Sequence, residues 1–146
     1  MKTILLVEDS KFLRIANERV LTKAGYRVTS ACDGEGALLI ALHALPDLII
    51  LDMLLPKLGG PEVLRSLKKD PATAHIPVIV LSGMSQKNEL KLKKEGAFAF
   101  LEKGPLLKDP SPLLDAIRGA LAGNVAEILA ANDRIPEHSI CSPKAD

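Results

Sequence analysis

A doubly wound α/β domain, a parallel sheet with helices on both faces, is the expected architecture of this 146-residue chain. Short apolar runs of strand length recur five times, at 3–7, 28–31, 48–51, 78–81 and 97–101. Segments of helical periodicity separate them. The runs at 4–7, 48–51 and 78–81 are apolar without alternation, as strands covered on both faces are. A β-α unit repeated in this way implies a parallel sheet joined by right-handed crossovers.

Each element has its own signal. After the first run, Leu13, Ala16, Val20 and Ala24 step by 3, 4 and 4, one stripe on a helix that Gly25 closes. Asp33-Gly34 then turns the chain into a second helix carrying Ala37, Leu38, Ala41, Leu42 and Leu45, stopped by Pro46. Leu39 and Ile40 widen its apolar stripe, and core packing is the favoured reading for both over contact with a partner. A third helix runs from about Pro61, a proline suited to a first turn, to Lys69. A fourth, weaker one covers about 86–95 and ends at Gly96. The last starts near Ser111-Pro112, and Leu113, Ile117, Leu121, Val125 and Ile128 carry its pattern on to about Ala131 despite Gly119 and Gly123. We divide the chain into one domain over 1–123 and an extension over 124–146, a helix continuation followed by a flexible tail.

Composition narrows the function classes. With 19 Lys+Arg against 18 Asp+Glu the net charge is +1, and aromatic residues are 3% of the chain, so neither a basic nucleic-acid surface nor a base-stacking platform is expected. The two cysteines, Cys32 and Cys141, fit no metal or redox spacing. The apolar start at 4–7 is too short for a secretory signal, and no run approaches the roughly 18 residues of a membrane span. A soluble, cytoplasmic protein is expected.

Function in open α/β sheets collects at the carboxyl ends of the strands. There the chain places Glu8-Asp9, Asp52, Ser82 and Glu102-Lys103. Carboxylates gathered at one edge repel one another unless a cation or a lysine compensates. Hard oxygen ligands suit Mg²⁺, and a strand-end carboxylate beside such a metal can act as a nucleophile that forms an acyl phosphate. Competing phosphate chemistries fit poorly. Glu8-Asp9-Ser10-Lys11 stands where a P-loop or a dinucleotide or FMN fold needs a phosphate-binding turn, and Leu54 breaks the DxD pattern of haloacid-dehalogenase phosphatases.

These residues resemble the receiver domain of two-component response regulators, the CheY-like family, over about 3–121. The likeness rests on Val7-Glu8-Asp9-Ser10, on Pro46-Asp47 followed by the run 48–51 and Asp52, on Leu55-Pro56 with Gly60, on Leu81-Ser82-Gly83, and on Gly96-Ala97 leading to Phe100 and Lys103. It implies a flavodoxin-like sheet of order 2-1-3-4-5 with five helices. It implies Asp52 as phosphoacceptor, served by a sensor histidine kinase, a phosphotransfer protein or a small phosphodonor. Mg²⁺ would be bound by Asp9 and Asp52 directly, by the Leu54 backbone carbonyl, and by Glu8 through water. Lys103 and Ser82 would contact the phosphoryl oxygens, and Phe100 holds the aromatic switch position. Output would pass to a protein target through the face formed by the fourth helix, fifth strand and fifth helix. The chain would catalyse only its own phosphorylation and dephosphorylation. A homodimer is compatible with the extended last helix.

Departures from the family pattern stand beside this. Lys103 is followed by Gly104 before Pro105, where the family has Lys-Pro, and the loop to Pro112 is long. Phe100 replaces the common Tyr and Leu55 the common Met. Leu54 and Met84, each two residues beyond Asp52 and Ser82, are apolar, which predicts slow hydrolysis of a phosphorylated form. Lys87, Lys91, Lys93 and Lys94 cluster on the predicted fourth helix, most simply as a solvated face. The alternative reading is an interaction or dimerisation module of the same fold that works without phosphorylation. Residues 124–146 hold no effector domain, so a stand-alone receiver and the receiver piece of a longer protein are both compatible.

Overall fold

A computed structural model describes residues 1–83 and 95–131, with side chains through residue 122. Five strands, β1 (Thr3–Val7), β2 (Arg27–Ala31), β3 (Leu48–Asp52), β4 (Val78–Ser82) and β5 (Ala99–Glu102), form one sheet in the order β2-β1-β3-β4-β5. All four pairings are parallel. Among the described residues there are five helices: α1 (Lys11–Lys23), α2 (Gly34–Ala44), α3 (Gly60–Lys69), α4 (Lys103–Lys108) and α5 (Ser111–Ala131). The helix expected over 86–95, with its lysine cluster and Met84, falls largely outside the described residues, as does the tail after Ala131. Among the described residues no helix is long and apolar enough to cross a membrane.

Alternate residues of each central strand feed opposite layers. Leu5, Val7, Ile49, Leu51, Val78 and Val80 pack with Ala37 and Ala41 of α2 and Val63, Leu64 and Leu67 of α3. Ile4, Leu6, Leu48, Ile50, Ile79 and Leu81 pack with Leu21 of α1 and Leu113, Ile117, Ala120 and Leu121 of α5. The sheet is therefore covered on both faces, which explains the unbroken apolar runs.

Three helices depart in detail from the pattern in the sequence. In α1 the fully buried residue is Leu21, whereas Ala24 is the exposed C-cap. In α2 the small residues Ala37 and Ala41 face the sheet, while Leu42 and Leu45 are exposed. Ile40 packs partly on the core, but Leu39 is 60% exposed, so core packing does not account for it. Finally, 103–108 is a helix rather than a loop. Pro105 sits in its first turn, where a missing N–H costs no hydrogen bond.

Glycines place two helices tightly against the loop that follows β3. A Cβ at Gly60 would lie 2.6 Å from Met53 Cα and 2.7 Å from the Asp52 carbonyl oxygen. One at Gly34 would lie 2.1 Å from the Leu58 carbonyl oxygen. The amide of Gly60 donates to the Met53 carbonyl at 3.1 Å, and Lys57, in the left-handed region at φ 68°, pairs with Asp33 at 3.6 Å.

Candidate functional site

Three strand ends and two turns converge at the carboxyl edge of the sheet. Asp52, Ser82 and Glu102 are the last residues of β3, β4 and β5, one position earlier than strands ending at 51, 81 and 101 would place them. The register sets Asp52 beside Leu81 and Ser82 beside Glu102. Glu8 follows β1, and its amide donates to the Ala31 carbonyl at 3.0 Å, continuing the pairing with β2 by one residue. Burial at this edge is severe for charged groups: Glu8 is 1% and Asp52 3% exposed, and Ser82 is 8% exposed.

Lys103 compensates them. Its ammonium lies 3.1 Å from Asp52 Oδ2 and 3.0 Å from Glu8 Oε1. The contact to Oε1 is an ion pair, and the hydrogen bond goes to Glu8 Oε2 at 3.3 Å. Oε2 also accepts the Ser10 amide at 3.2 Å, and Asp52 Oδ1 accepts the Leu54 amide at 3.3 Å. Glu8 Oε1 thus accepts no hydrogen bond from any described residue although it is buried. Burial raises the Glu8 carboxyl above its ordinary 4.5, against the lowering effect of the Lys103 hydrogen bond, and the nearby Asp52 charge raises it further. Burial alone would lower Lys103, but hydrogen bonds to Glu8 and Asp52 outweigh it and hold the ammonium above 10.5.

The orphaned oxygen is the test of whether a cation fits. One carboxylate oxygen each from Glu8, Asp9 and Asp52 lies within 4.8 Å of the others, with Asp9 on the exposed side. Three oxygens so close, one lacking a donor, form a donor set suited to a hard divalent ion. Phe100 is buried in the layer with Val80 and Ala97, and Leu54 is 68% exposed beside Asp52. Glu8, Asp9, Asp52, Ser82 and Lys103 therefore lie together at this edge, with Leu54 beside them and Phe100 two residues inside β5.

Two contributors were not singled out from the sequence. Ser10 caps α1 by accepting the Leu13 amide at 3.3 Å, a role that a serine before an apolar-periodic helix does signal. Arg14 donates to the Glu8 carbonyl at 3.1 Å, a contact between side chain and main chain that leaves no mark on sequence patterns.

Comparisons agree with this geometry. The family model of the response regulator receiver domain matches residues 4–118. Protein PilH of Pseudomonas aeruginosa is 34% identical over 124 residues, covering 84% of this chain and all of PilH (100%). A response regulator receiver domain protein from Clostridium thermocellum superposes with a TM-score of 0.76 at 32% identity, over 88% of this chain and 99% of that one. The Mn²⁺-bound form of the response regulator Rcp1 gives 0.66 at 32% identity, over 75% of this chain and 86% of its own. The chain spans only 22% of the length of the response regulator PleD of Caulobacter vibrioides and 13% of that of a gliding motility regulatory protein of Myxococcus xanthus. A parallel sheet with clustered acids and one lysine at its carboxyl edge defines a signalling receiver. The chain belongs to the response regulator receiver domain family.

Proposed function

We propose that this chain is a phosphorylation-dependent signalling switch with Asp52 as the phosphoacceptor. The observation that carries the reading is the Asp52 carboxylate at the end of β3, buried beside the Lys103 ammonium at 3.1 Å and an unsatisfied Glu8 oxygen. An Asp52 oxygen attacks phosphorus in a phosphohistidine of a sensor kinase or phosphotransfer protein, or in an acyl phosphate. The P–O bond to Asp52 forms as the P–N or P–O bond to the donor breaks, and the leaving group keeps the electron pair. Glu8, Asp9, Asp52 and the Leu54 carbonyl would hold Mg²⁺, which supplies positive charge to the transferring oxygens. Lys103 supplies a fixed cation from the protein, and Ser82 a hydroxyl at the neighbouring strand end. The added dianion then biases Phe100 and the face around β5 and α5 toward a target protein. The chain turns over no external metabolite, and it acts in the cytoplasm, where histidine kinases present their phosphohistidine.

The Lys103-Gly104-Pro105 corner, the one departure favouring a phosphorylation-independent module, still delivers its ammonium to both carboxylates. Incubation with acetyl phosphate and Mg²⁺, read by intact mass, should add one phosphoryl group to the wild type and none to Asp52→Asn. Uptake by the variant overturns the assignment. Leu54, exposed and apolar beside Asp52, orients no water, so the phosphorylated form should persist well beyond seconds. Its decay in purified protein measures this directly.

A further inference from the structure

We propose that Leu106 is a positioning residue for the switch chemistry: it anchors α4 and thereby holds the Lys103 ammonium between Asp52 and Glu8. This deepens the reading of Asp52 as phosphoacceptor and rests on it. The sheet order sets Lys103 well away from its partners. β5 is two strands from β3 and three from β1, so at about 4.8 Å per strand it runs about 10 Å from the one and about 14 Å from the other. A four-carbon stem has little slack over such a span. The direction in which the chain leaves β5 therefore decides whether the ammonium reaches both carboxylates.

Little within α4 itself fixes that direction. Six residues are too few to hold a helix by its own hydrogen bonds, and Gly104, directly after Lys103, adds backbone freedom. Space does not demand this glycine, since a Cβ on it would meet nothing within 4 Å. Gly104, Pro105, Leu107 and Lys108 are all exposed. Lys103 and Leu106 alone are not, and at i and i+3 they share one helical face. Leu106 packs on the layer of Leu81, Leu113 and Ile117, and among the described residues it is the one α4 side chain that joins a core layer. Lys103 makes its ion pairs at 3.0 and 3.1 Å from the same face. Beneath it, Lys103, Leu106 and Leu107 meet Leu13 and Asn17 of α1 and Leu81 of β4 around a cavity of only about 10 Å³. Helix α4 thus leans inward over the end of β4, pinned at one end by charge and at the other by Leu106. Cutting Leu106 back widens that cavity and removes the apolar pin.

Two measurements on the full chain test this. The first needs no phosphoryl transfer: reductive methylation with formaldehyde in chelator, read lysine by lysine by peptide mass spectrometry. Lys103, whose side chain is only 18% exposed, should label at least about fivefold faster in Leu106→Ala. Lys68, whose ammonium donates to the Ala74 and Ile76 carbonyls, should keep its wild-type rate, which shows that the fold is intact. Leu106→Met conserves volume and should match the wild type. The second measurement is the rate of phosphoryl uptake from acetyl phosphate at saturating Mg²⁺. Leu106→Ala should slow it at least about tenfold, and should slow it no further once Lys103→Met has removed the ammonium. Unchanged labelling of Lys103 in Leu106→Ala overturns the proposal. So does faster labelling with undiminished uptake, or an equal fall in uptake with and without Lys103→Met. If the wild type gains no phosphoryl group, the reading of Asp52 fails, and the labelling alone decides whether Leu106 places Lys103.

Discussion

Glu8 shows what the site costs the molecule when no cation is present. One of its buried oxygens accepts no hydrogen bond and has only the Lys103 ammonium at 3.0 Å as an ion-pair partner, and Asp52 stands close by. Glu8→Gln should therefore raise the stability of the divalent-free protein in urea denaturation, while Mg²⁺ binding measured calorimetrically weakens. The sign of the pH dependence follows from the raised carboxyl. The unfolded chain gives up this proton near 4.5 and the folded chain only at higher pH, so raising pH through that window lowers stability. Lys103 acts on the alkaline side. Its contribution is complete below 10.5 and is lost as pH rises through its higher folded value. Lys103→Met leaves two buried carboxylates without their cation, and the loss should reach up to about 3–5 kcal/mol in chelator, less when Glu8→Gln is added. At this scale the sequence was informative because Glu8-Asp9, Asp52, Ser82 and Glu102-Lys103 all directly follow apolar runs, a gathering that no one of them signals alone. Arg14 was not visible, since any residue's carbonyl can receive such a bond.

Two helix starts control the loop that carries Leu54. Gly60→Ala drives a Cβ into the Met53 Cα and the Asp52 carbonyl, and overpacking of this kind typically costs about 1–3 kcal/mol. Because backbone rather than a flexible side chain is struck, the β3–α3 loop must shift, and phosphoryl uptake at Asp52 should slow along with the fall in Tm. At the start of α2, Asp33 caps the helix by accepting the Gly36 amide at 2.7 Å. That bond, with Lys57 adding to it, holds the Asp33 carboxyl below 3.8. Asp33→Ala should lower Tm by roughly 2–4 °C at neutral pH. The deficit should shrink as pH falls from 3.8 through the lower value of the folded chain, where the wild-type cap becomes protonated as well. Elements were legible wherever periodicity and stop signals agreed. They misled in α2, where apolar residues read as core although the space against the sheet admits only alanines, and at α4, where Gly-Pro reads as a breaker but lies in a first turn.

For the whole molecule, a cation that binds only the folded chain adds stability by mass action. If Mg²⁺ binds at Glu8, Asp9 and Asp52, magnesium at about 100 times its Kd should stabilise the protein by about 2.7 kcal/mol, and Asp9→Asn should abolish most of that increment. Melts with and without Mg²⁺ read the difference. The architecture was legible at this scale because right-handed crossovers and two-sided burial admit few orders of five parallel strands. Which helix residues would be left outside was not, since that depends on how closely each helix approaches the sheet. One further consequence comes from the 95 residues that separate Lys103 from Glu8. A ribosome releases the acids of β1 and β3 long before the lysine that neutralises them. A nascent chain that has paired its first three strands therefore carries a bare, self-repelling acidic rim, which closes only when β5 docks. The acids of the rim and the lysine that neutralises them therefore meet only once β5 has paired with β4.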